Sequence, residues 1–563
     1  MSASPGPLTP VPIETEPESP LDARGIGGQP RGLTTLFFAE MWERFSYYGM
    51  RALLTLFMVK TAAEGGLGFD TKTAAGIYGT YTMSVYLLCI LGGFIADNFI
   101  GSRRAVLIGG IIIASGHFSM ALDSVATFYA GLVLIALGTG LLKPNISTMV
   151  GGLYSPTDER RDAGFSIFYM GINLGAFLAP LVTGYLAQSD DWKARLTAWG
   201  LNPLHSWHWG FAAAGVGMTL GLVVYVLQRE RLATVGHAPA ADLPRPWGKL
   251  ALVALASFAL IIAMKASDEH PSVVYALFAL QIVAILFFAL RPGQDNKRLA
   301  AILVFFFAAE IFWSIFEQSG SSITLFADRL TQNDTPLWSL FEWIRSVPWW
   351  ALVTAAVVSA WGWIQFDPRR ISIGWILVKA LIVVLVTIFL RFMPHAFPSS
   401  WWQSVNSVWV ILLAPVFAYL WIKLGHRQPS SPLKFTLGLL FVALSFVLMV
   451  PAAKLTAAGK VGPMWLVGLY FLQTVGEMCL SPVGLSTMTK LAPQRLLGLV
   501  MGIWFLAAAL GNKLAGVMAG DFKSDNAGEL ATFFWHQAIW VGVATLILFA
   551  LVPWTKKLMC GVR

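Results

Sequence analysis

Charge is what this 563-residue chain has least of: Asp, Glu, Lys and Arg supply 12% of it, against about a quarter in soluble domains. With 56% hydrophobic residues and a mean hydropathy of +0.66, a soluble globular protein is excluded. Cysteine is scarce as well. Cys89, Cys479 and Cys560 fit neither a disulfide framework nor a metal spacing, and Cys89 and Cys479 read as small buried hydrophobes. His117, His205 and His208 show no metal spacing either. No nucleophile, metal cluster or phosphate-binding loop is found, which argues against a membrane-embedded acyl or glycosyl transferase. No short filter sequence recurs, which argues against a channel. Residues 1–30 are rich in Pro, Glu and Ser and lack a hydrophobic core, so they encode neither a secretory signal nor a folded domain.

Long apolar runs dominate the rest. About 20 such residues cross the roughly 30 Å of bilayer hydrocarbon, and these runs are continuously apolar rather than alternating, so helices are expected and not a barrel. Sixteen spans are predicted, at 33–60, 74–98, 104–122, 126–149, 163–187, 208–228, 249–265, 272–290, 300–327, 348–365, 371–391, 401–424, 434–452, 463–490, 496–519 and 533–554. With both ends placed in the cytoplasm, segments on that side hold about twice as many Lys and Arg as the opposite ones. This bias also accounts for the net charge of +9 without invoking nucleic acid.

The few intramembrane charges are not scattered. Glu40, Arg44, Tyr47, Tyr48 and Arg51 recur at helical spacing along one face of the first span, with Glu43 beside them. Each charge facing lipid costs about 2.5–3.5 kcal/mol even on translocon scales. Four in one span therefore predict a wet, protein-lined cavity, a pathway for protons and a charged solute.

Segment two ends in Gly92-Gly93-Phe94-Ile95-Ala96-Asp97-Asn98-Phe99-Ile100-Gly101-Ser102-Arg103-Arg104. This resembles the signature between the second and third helices of the major facilitator superfamily. The resemblance implies an all-α polytopic membrane protein of two six-helix bundles, here with two additional transmembrane hairpins. The expected division is a disordered cytoplasmic tail at 1–30, an N-terminal bundle at 31–228 and a linker with a hairpin at 229–298. The C-terminal bundle follows, with its first helix at 299–330, an inserted hairpin at 331–396 and five further helices at 397–555. Residues 556–563 form a second cytoplasmic tail.

Glu40-x-x-Glu43-Arg44-Phe45-x-Tyr47-Tyr48-Gly49 resembles the first-helix signature of the proton-dependent oligopeptide transporter family. Gly138-Thr139-Gly140-Leu141-Leu142-Lys143-Pro144-Asn145 and Phe165-Ser166-Ile167-Phe168-Tyr169-Met170-Gly171-Ile172-Asn173-Leu174-Gly175 are similar to its fourth- and fifth-helix motifs. Phe312-Trp313-Ser314-Ile315-Phe316-Glu317-Gln318 and Gly476-Glu477-Met478-Cys479-Leu480-Ser481-Pro482 are similar to its seventh and tenth. The resemblance implies import of di- and tripeptides coupled to protons, with no cofactor and a monomer as the functional unit. Nitrate, another small anion or an amino acid is the alternative cargo within the family.

A zwitterionic peptide needs a cationic and an anionic or amide subsite, separated by its own length at about 3.3–3.6 Å per residue. Arg51 and Lys143 are the candidates for its carboxylate, Arg51 in bidentate fashion, with Tyr47, Tyr48, Tyr86, Tyr169 and Asn173 as hydrogen-bonding neighbours. The tyrosines can equally be packing residues. Glu477, Ser481 and Asn406 are the candidates for its ammonium, and Asn406 can instead bridge helices. Trp313 and Trp504 either wall side-chain pockets or pack between helices and lipid. Glu317 is expected to pair with Arg51 across the bundles and to release it on protonation. By resemblance, Glu40, Glu43 and Arg44 form a second coupling cluster. Glu310 is either a proton relay or a structural partner, and Lys379 and Lys513 are expected to snorkel or pair locally. The short connection from Lys454 to Lys460 lacks the large external domain of animal members, which points to a bacterial inner membrane.

Overall fold

The structure is a computed structural model. It describes residues 22–155, 158–239, 245–270, 272–336, 338–348, 350–351, 353–354, 357–358, 383–384, 386–388, 390–492 and 497–562. Most of the expected hairpin at 348–391, including Lys379, lies outside the described residues, as do residues 1–21.

The first bundle comprises α1 (Arg31–Val59), α2 (Thr71–Ile95), α3 (Ser102–Met120), α4 (Val125–Gly152), α5 (Arg161–Gln188), a short α6 (Asp190–Ala198) and α7 (Ser206–Gln228). Then come α8 (Trp247–Lys265) and α9 (Ser272–Leu290). The second half starts with α10 (Gln294–Phe316), which passes through a 3₁₀ turn at Glu317–Gly320 into α11 (Ser322–Arg329) and α12 (Trp338–Ser346). It is completed by α13 (Ser404–Leu424), α14 (Ser431–Leu455), α15 (Met464–Leu491), α16 (Leu497–Ala519) and α17 (Ala527–Leu558).

Local chemistry sets the starts of several of these helices. Asp70 caps α2 by accepting from the Thr73 N–H at 3.0 Å, and Asn526 caps α17 by accepting from the N–H groups of Gly528 and Glu529. At α1 the cap comes from the expected tail: the Asp22 carboxylate accepts from the Arg31 N–H at 2.9 Å, which holds its pKa down at about 2. Arg160 donates to the Asp22 and Gly28 carbonyls. Residues 22–30 are therefore fixed against α1, where the sequence reading placed them in a disordered tail.

Eleven helical segments among the described residues are long and apolar enough to cross a membrane. Helices α1, α3 and α16 lie outside that set, α1 because of its charges, yet all three pack within the bundles. The total of sixteen spans includes 348–365 and 371–391 and rests on the sequence alone.

Helix α1 is buried on nearly all sides, against α5 and α7. By contrast α9 has no buried residue among those described, and α8 buries only Ser257 and Met264. This hairpin leans on α2 through α8 and on α10 through α9, straddling the seam between bundles. Glu310, whose two readings were relay and structural pairing, is buried and accepts a 2.8 Å hydrogen bond from Gln281 of α9, a structural pairing. The start of the inserted segment turns toward the first bundle, where Arg345 of α12 pairs with Asp191 of α6 at 2.5 Å.

The bundles meet where α2 crosses α16 and where α5 meets α13. At the first crossing a Cβ on Gly516 would lie 2.6 Å from the Gly79 Cα, so only glycine permits this approach. Beside it Lys513 is fully buried, its ammonium 2.6 Å from Asp268 and 2.8 Å from the Thr80 hydroxyl. Of the two readings of Lys513, local pairing holds and snorkelling does not. Asp268 sits in the turn between α8 and α9, so one ion pair fastens the hairpin to both bundles.

Asp268 is partly exposed but Lys513 is not, so removing the carboxylate leaves an uncompensated buried ammonium, at up to about 3–5 kcal/mol. Asp268→Asn is expected to lower the thermal unfolding midpoint in detergent, and Asp268→Asn with Lys513→Met to recover most of the loss. Equal midpoints for wild type and Asp268→Asn would show that the pair contributes nothing.

Candidate functional site

A cavity lies between the bundles, lined on one side by Tyr48, Arg51, Tyr86, Tyr169 and Asn173 and on the other by Trp313, Glu317, Asn406 and Glu477. Of the residues expected at a substrate site, these eight besides Glu317 line it. Tyr47, Lys143, Ser481 and Trp504 do not.

Arg51 anchors the wall. Its guanidinium makes a 2.5 Å ion pair with Glu317 and donates to the Ser319 hydroxyl at 3.3 Å and, from Nε, to the Tyr78 hydroxyl at 2.6 Å. Both charges are buried, and the expected pairing across the bundles is present. The break of α10 at Phe316 makes it possible, because the 3₁₀ turn brings Glu317 and Ser319 together toward α1. A Cβ on Gly320 would lie 2.0 Å from the Tyr78 hydroxyl oxygen, so glycine in this turn lets Tyr78 reach the pair.

On the opposite wall Asn406 donates to Thr474 at 2.9 Å and to Glu477 at 3.3 Å. It thus bridges α13 to α15 and lines the cavity at once, combining the two readings made of it. Ser481 lies one turn beyond Glu477, its hydroxyl oxygen buried and without a hydrogen-bond partner among the described residues. Trp504 packs on Gly484 and Phe435, its ring 6.4 Å from the phenyl. Both lie farther along the bundle from the Arg51 end than Glu477 does.

The charged cluster of α1 sits beside the cavity. Arg44 pairs with Glu40 at 3.1 Å and grips Glu43 with two N–H groups, one at 2.6 Å, all three buried. Two carboxylates share one guanidinium, whose face lies 5.2 Å from the Tyr47 ring. Tyr47 in turn stacks edge-on against Tyr48, which explains its absence from the wall. The Lys143 ammonium lies 3.8 Å from the centre of the Tyr86 ring, a cation–π contact, and no carboxylate lies within 4 Å of it among the described residues.

Among the lining groups that escaped the sequence reading are Gln403, Tyr470 and Gln473. Amides and phenols in apolar spans carry no charge to draw attention. The usable signal was spacing, since Gln473 lies four residues before Glu477 on the same helical face. Tyr78 was missed in the same way, eight residues before Tyr86.

One end of the cavity is closed by contacts between the bundles. Lys60, just past α1, pairs with Asp328 of α11 at 3.1 Å, Thr55 donates to the Gly320 carbonyl at 2.7 Å, and Gln188 donates to Ser399 at 2.9 Å. Burial pulls the Lys60 pKa down, but Asp328 and Glu64 outweigh it and hold it above the usual lysine value. A raised cation contributes its full stabilisation below the ordinary value of about 10.4 and loses it only at still higher pH.

This architecture defines a class, a multi-pass membrane protein of two six-helix bundles with a charged cavity at their seam. Comparison with known proteins gives the family. The profile of the POT family matches residues 103–373 and 375–535. "Peptide transporter YePEPT" of Yersinia enterocolitica is 36% identical, covering 97% of this chain and 98% of its own. A "Di-/tripeptide transporter" of Lactococcus lactis subsp. cremoris is 34% identical over 95% of this chain and 98% of its own. A solved structure of a mutant peptide transporter, POT, in complex with alafosfalin superposes with a TM-score of 0.74 at 36% identity, covering 96% of this chain and 98% of that one. The chain belongs to the POT family.

Because Lys60 stays charged, the closed end is expected to be indifferent to pH between about 6 and 8.5. Spin labels placed on α1 and α11 near this end should keep their distance across that range, while Lys60→Gln should populate a longer distance. A distance that responds to pH as strongly as it does to Lys60→Gln would contradict this.

Proposed function

We propose that this protein is a proton-coupled symporter that imports di- and tripeptides by alternating access. The observation that carries the reading is the Arg51–Glu317 pair, which joins the two bundles in the wall of the cavity that also holds Glu477 and Asn406. The relatives named as peptide and di-/tripeptide transporters support the substrate class.

Protonation of Glu317 removes the partner of Arg51, and the freed guanidinium takes the peptide carboxylate. Glu477 and Asn406 receive the ammonium on the facing bundle. A cation at one wall and acceptors at the other measure the length of a short zwitterion and leave its side chains unread. A small anion alone would leave Glu477 and Asn406 without a substrate group. Lys143 adds a second positive charge near the carboxylate subsite, and Ser481 and Trp504 come to the substrate when the bundles rock together at their end.

The Glu40–Glu43–Arg44 cluster supplies a second proton-sensitive site, because one guanidinium cannot neutralise two carboxylates at once. The break of α10 at Glu317 links the chemistry to motion, since the same turn carries Gly320, which Thr55 holds at the closed end. Loosening Glu317 thus relaxes the Thr55–Gly320 contact a turn away, while the Lys60–Asp328 pair still holds the closed end. The energy suffices: one charge crossing 100 mV gains about 2.3 kcal/mol, enough for roughly 50-fold accumulation. The protein works as a monomer in a bacterial inner membrane with both ends in the cytoplasm, and the closed end faces outward.

In proteoliposomes, Ala-Ala is expected to accumulate when the outside is acidified or the inside made negative, with nitrate and single amino acids competing poorly. Glu317→Gln should abolish uphill accumulation while keeping part of the peptide counterflow. Normal uphill uptake by that variant would overturn the assignment of Glu317.

A further inference from the structure

We infer that Gln473 reads the first carbonyl of the bound peptide, donating to it from Nε2. The inference rests on the peptide-transport reading above and deepens it. Gln473 is fully buried in α15 and lines the cavity, and neither its Oε1 nor its Nε2 has a hydrogen-bond partner among the described residues. Buried polar groups are nearly always paired, so a primary amide with both ends unmet in a cavity wall points to a ligand or solvent partner. Two of its neighbours are already engaged, since Asn406 binds Thr474 and Glu477 and Thr474 donates to the Tyr470 carbonyl, while the Tyr470 hydroxyl shares with Gln473 the lack of a partner among the described residues.

Position supplies the rest. Gln473 lies one helical turn from Glu477, about 6 Å along the axis. In an extended residue the amino nitrogen and the carbonyl oxygen point to the same side of the chain, within one residue length of about 3.5 Å. A helix that offers Glu477 to the ammonium therefore offers the next turn to the carbonyl of that same residue. An amide donor suits a carbonyl there, and its Oε1 remains for a second donor. An analogue with the same ends but a methylene in place of that carbonyl leaves Gln473 unpaired, so this contact separates compounds that the end-clamping groups treat alike. Sites built around a buried polar group reject analogues that leave it unpaired.

Two probes separate this contact from the clamp. δ-Aminolevulinic acid and δ-aminovaleric acid share their amine, carboxylate and chain length, and only the first has a carbonyl where a dipeptide has one. As competitors of Ala-Ala uptake by the full-length protein in proteoliposomes, the first is expected to be about three- to tenfold more effective. In Gln473→Met that ratio should fall to about one. Because the substitution removes an unpaired buried amide, the ligand-free thermal midpoint should not fall, and Gln473→Leu gives a second reading of the same ratio should Gln473→Met express poorly. A wild-type ratio near one, or a ratio unchanged in the variants while Ala-Ala uptake persists, overturns the role of Gln473 alone. Absence of saturable Ala-Ala uptake in the wild type overturns the transport reading and this inference with it.

Discussion

The ion pair between Arg51 and Glu317 is the contact on which the rest of the molecule depends. Its two members belong to different bundles, both are buried, and a tyrosine hydroxyl and a serine hydroxyl complete the shell of the guanidinium. Charges in such surroundings are tolerable only while partnered, because the cost of desolvation is offset by attraction and hydrogen bonds. An exchange of partners is therefore favoured over a loss of partners. That rule makes the pair a junction between buried charge and bundle geometry.

The same rule orders the other buried charges. Arg44 holds Glu40 and Glu43, Lys513 holds Asp268, and Glu310 is met by the amide of Gln281. Two of these contacts involve the hairpin α8–α9, whose outer surface is otherwise turned to lipid. The hairpin thus does more than link the bundles in sequence: its turn supplies the counter-charge at the point where α2 and α16 approach most closely. Lys143, resting on the Tyr86 ring without a carboxylate beside it, is the contrasting case, a cation stabilised by an aromatic face in the cavity region.

Much of this was legible in the sequence. The apolar runs define helices because backbone groups in a bilayer must be satisfied within a segment. The spacing of Glu40, Arg44, Tyr48 and Arg51 placed them on one protected face, and the family motifs led to Glu317 as the partner of Arg51. Less legible were residues whose role depends on what lies opposite. Gln473, Gln403 and Tyr78 look like ordinary polar interruptions until a second helix is laid beside them. Lys513 offered two fates, and its counter-ion is 245 residues away in the chain. The segment at 22–30 reads as disordered by composition, yet Asp22 finds a helix N-terminus to cap.

The sequence by itself determined the membrane-spanning class and the face of α1 that carries charge, because periodicity and burial cost act within one helix at a time, and the two-bundle plan came through the resemblance of its motifs. The tertiary structure alone decided that α10 breaks at Glu317, that Tyr47 stacks behind the wall instead of lining it, and that Lys143, Ser481 and Trp504 do not line the cavity. Those outcomes follow from how the helices of two bundles tilt and cross, with glycine contacts such as Gly79 against Gly516 setting the separation, and no pattern within a single helix encodes its distance to the next.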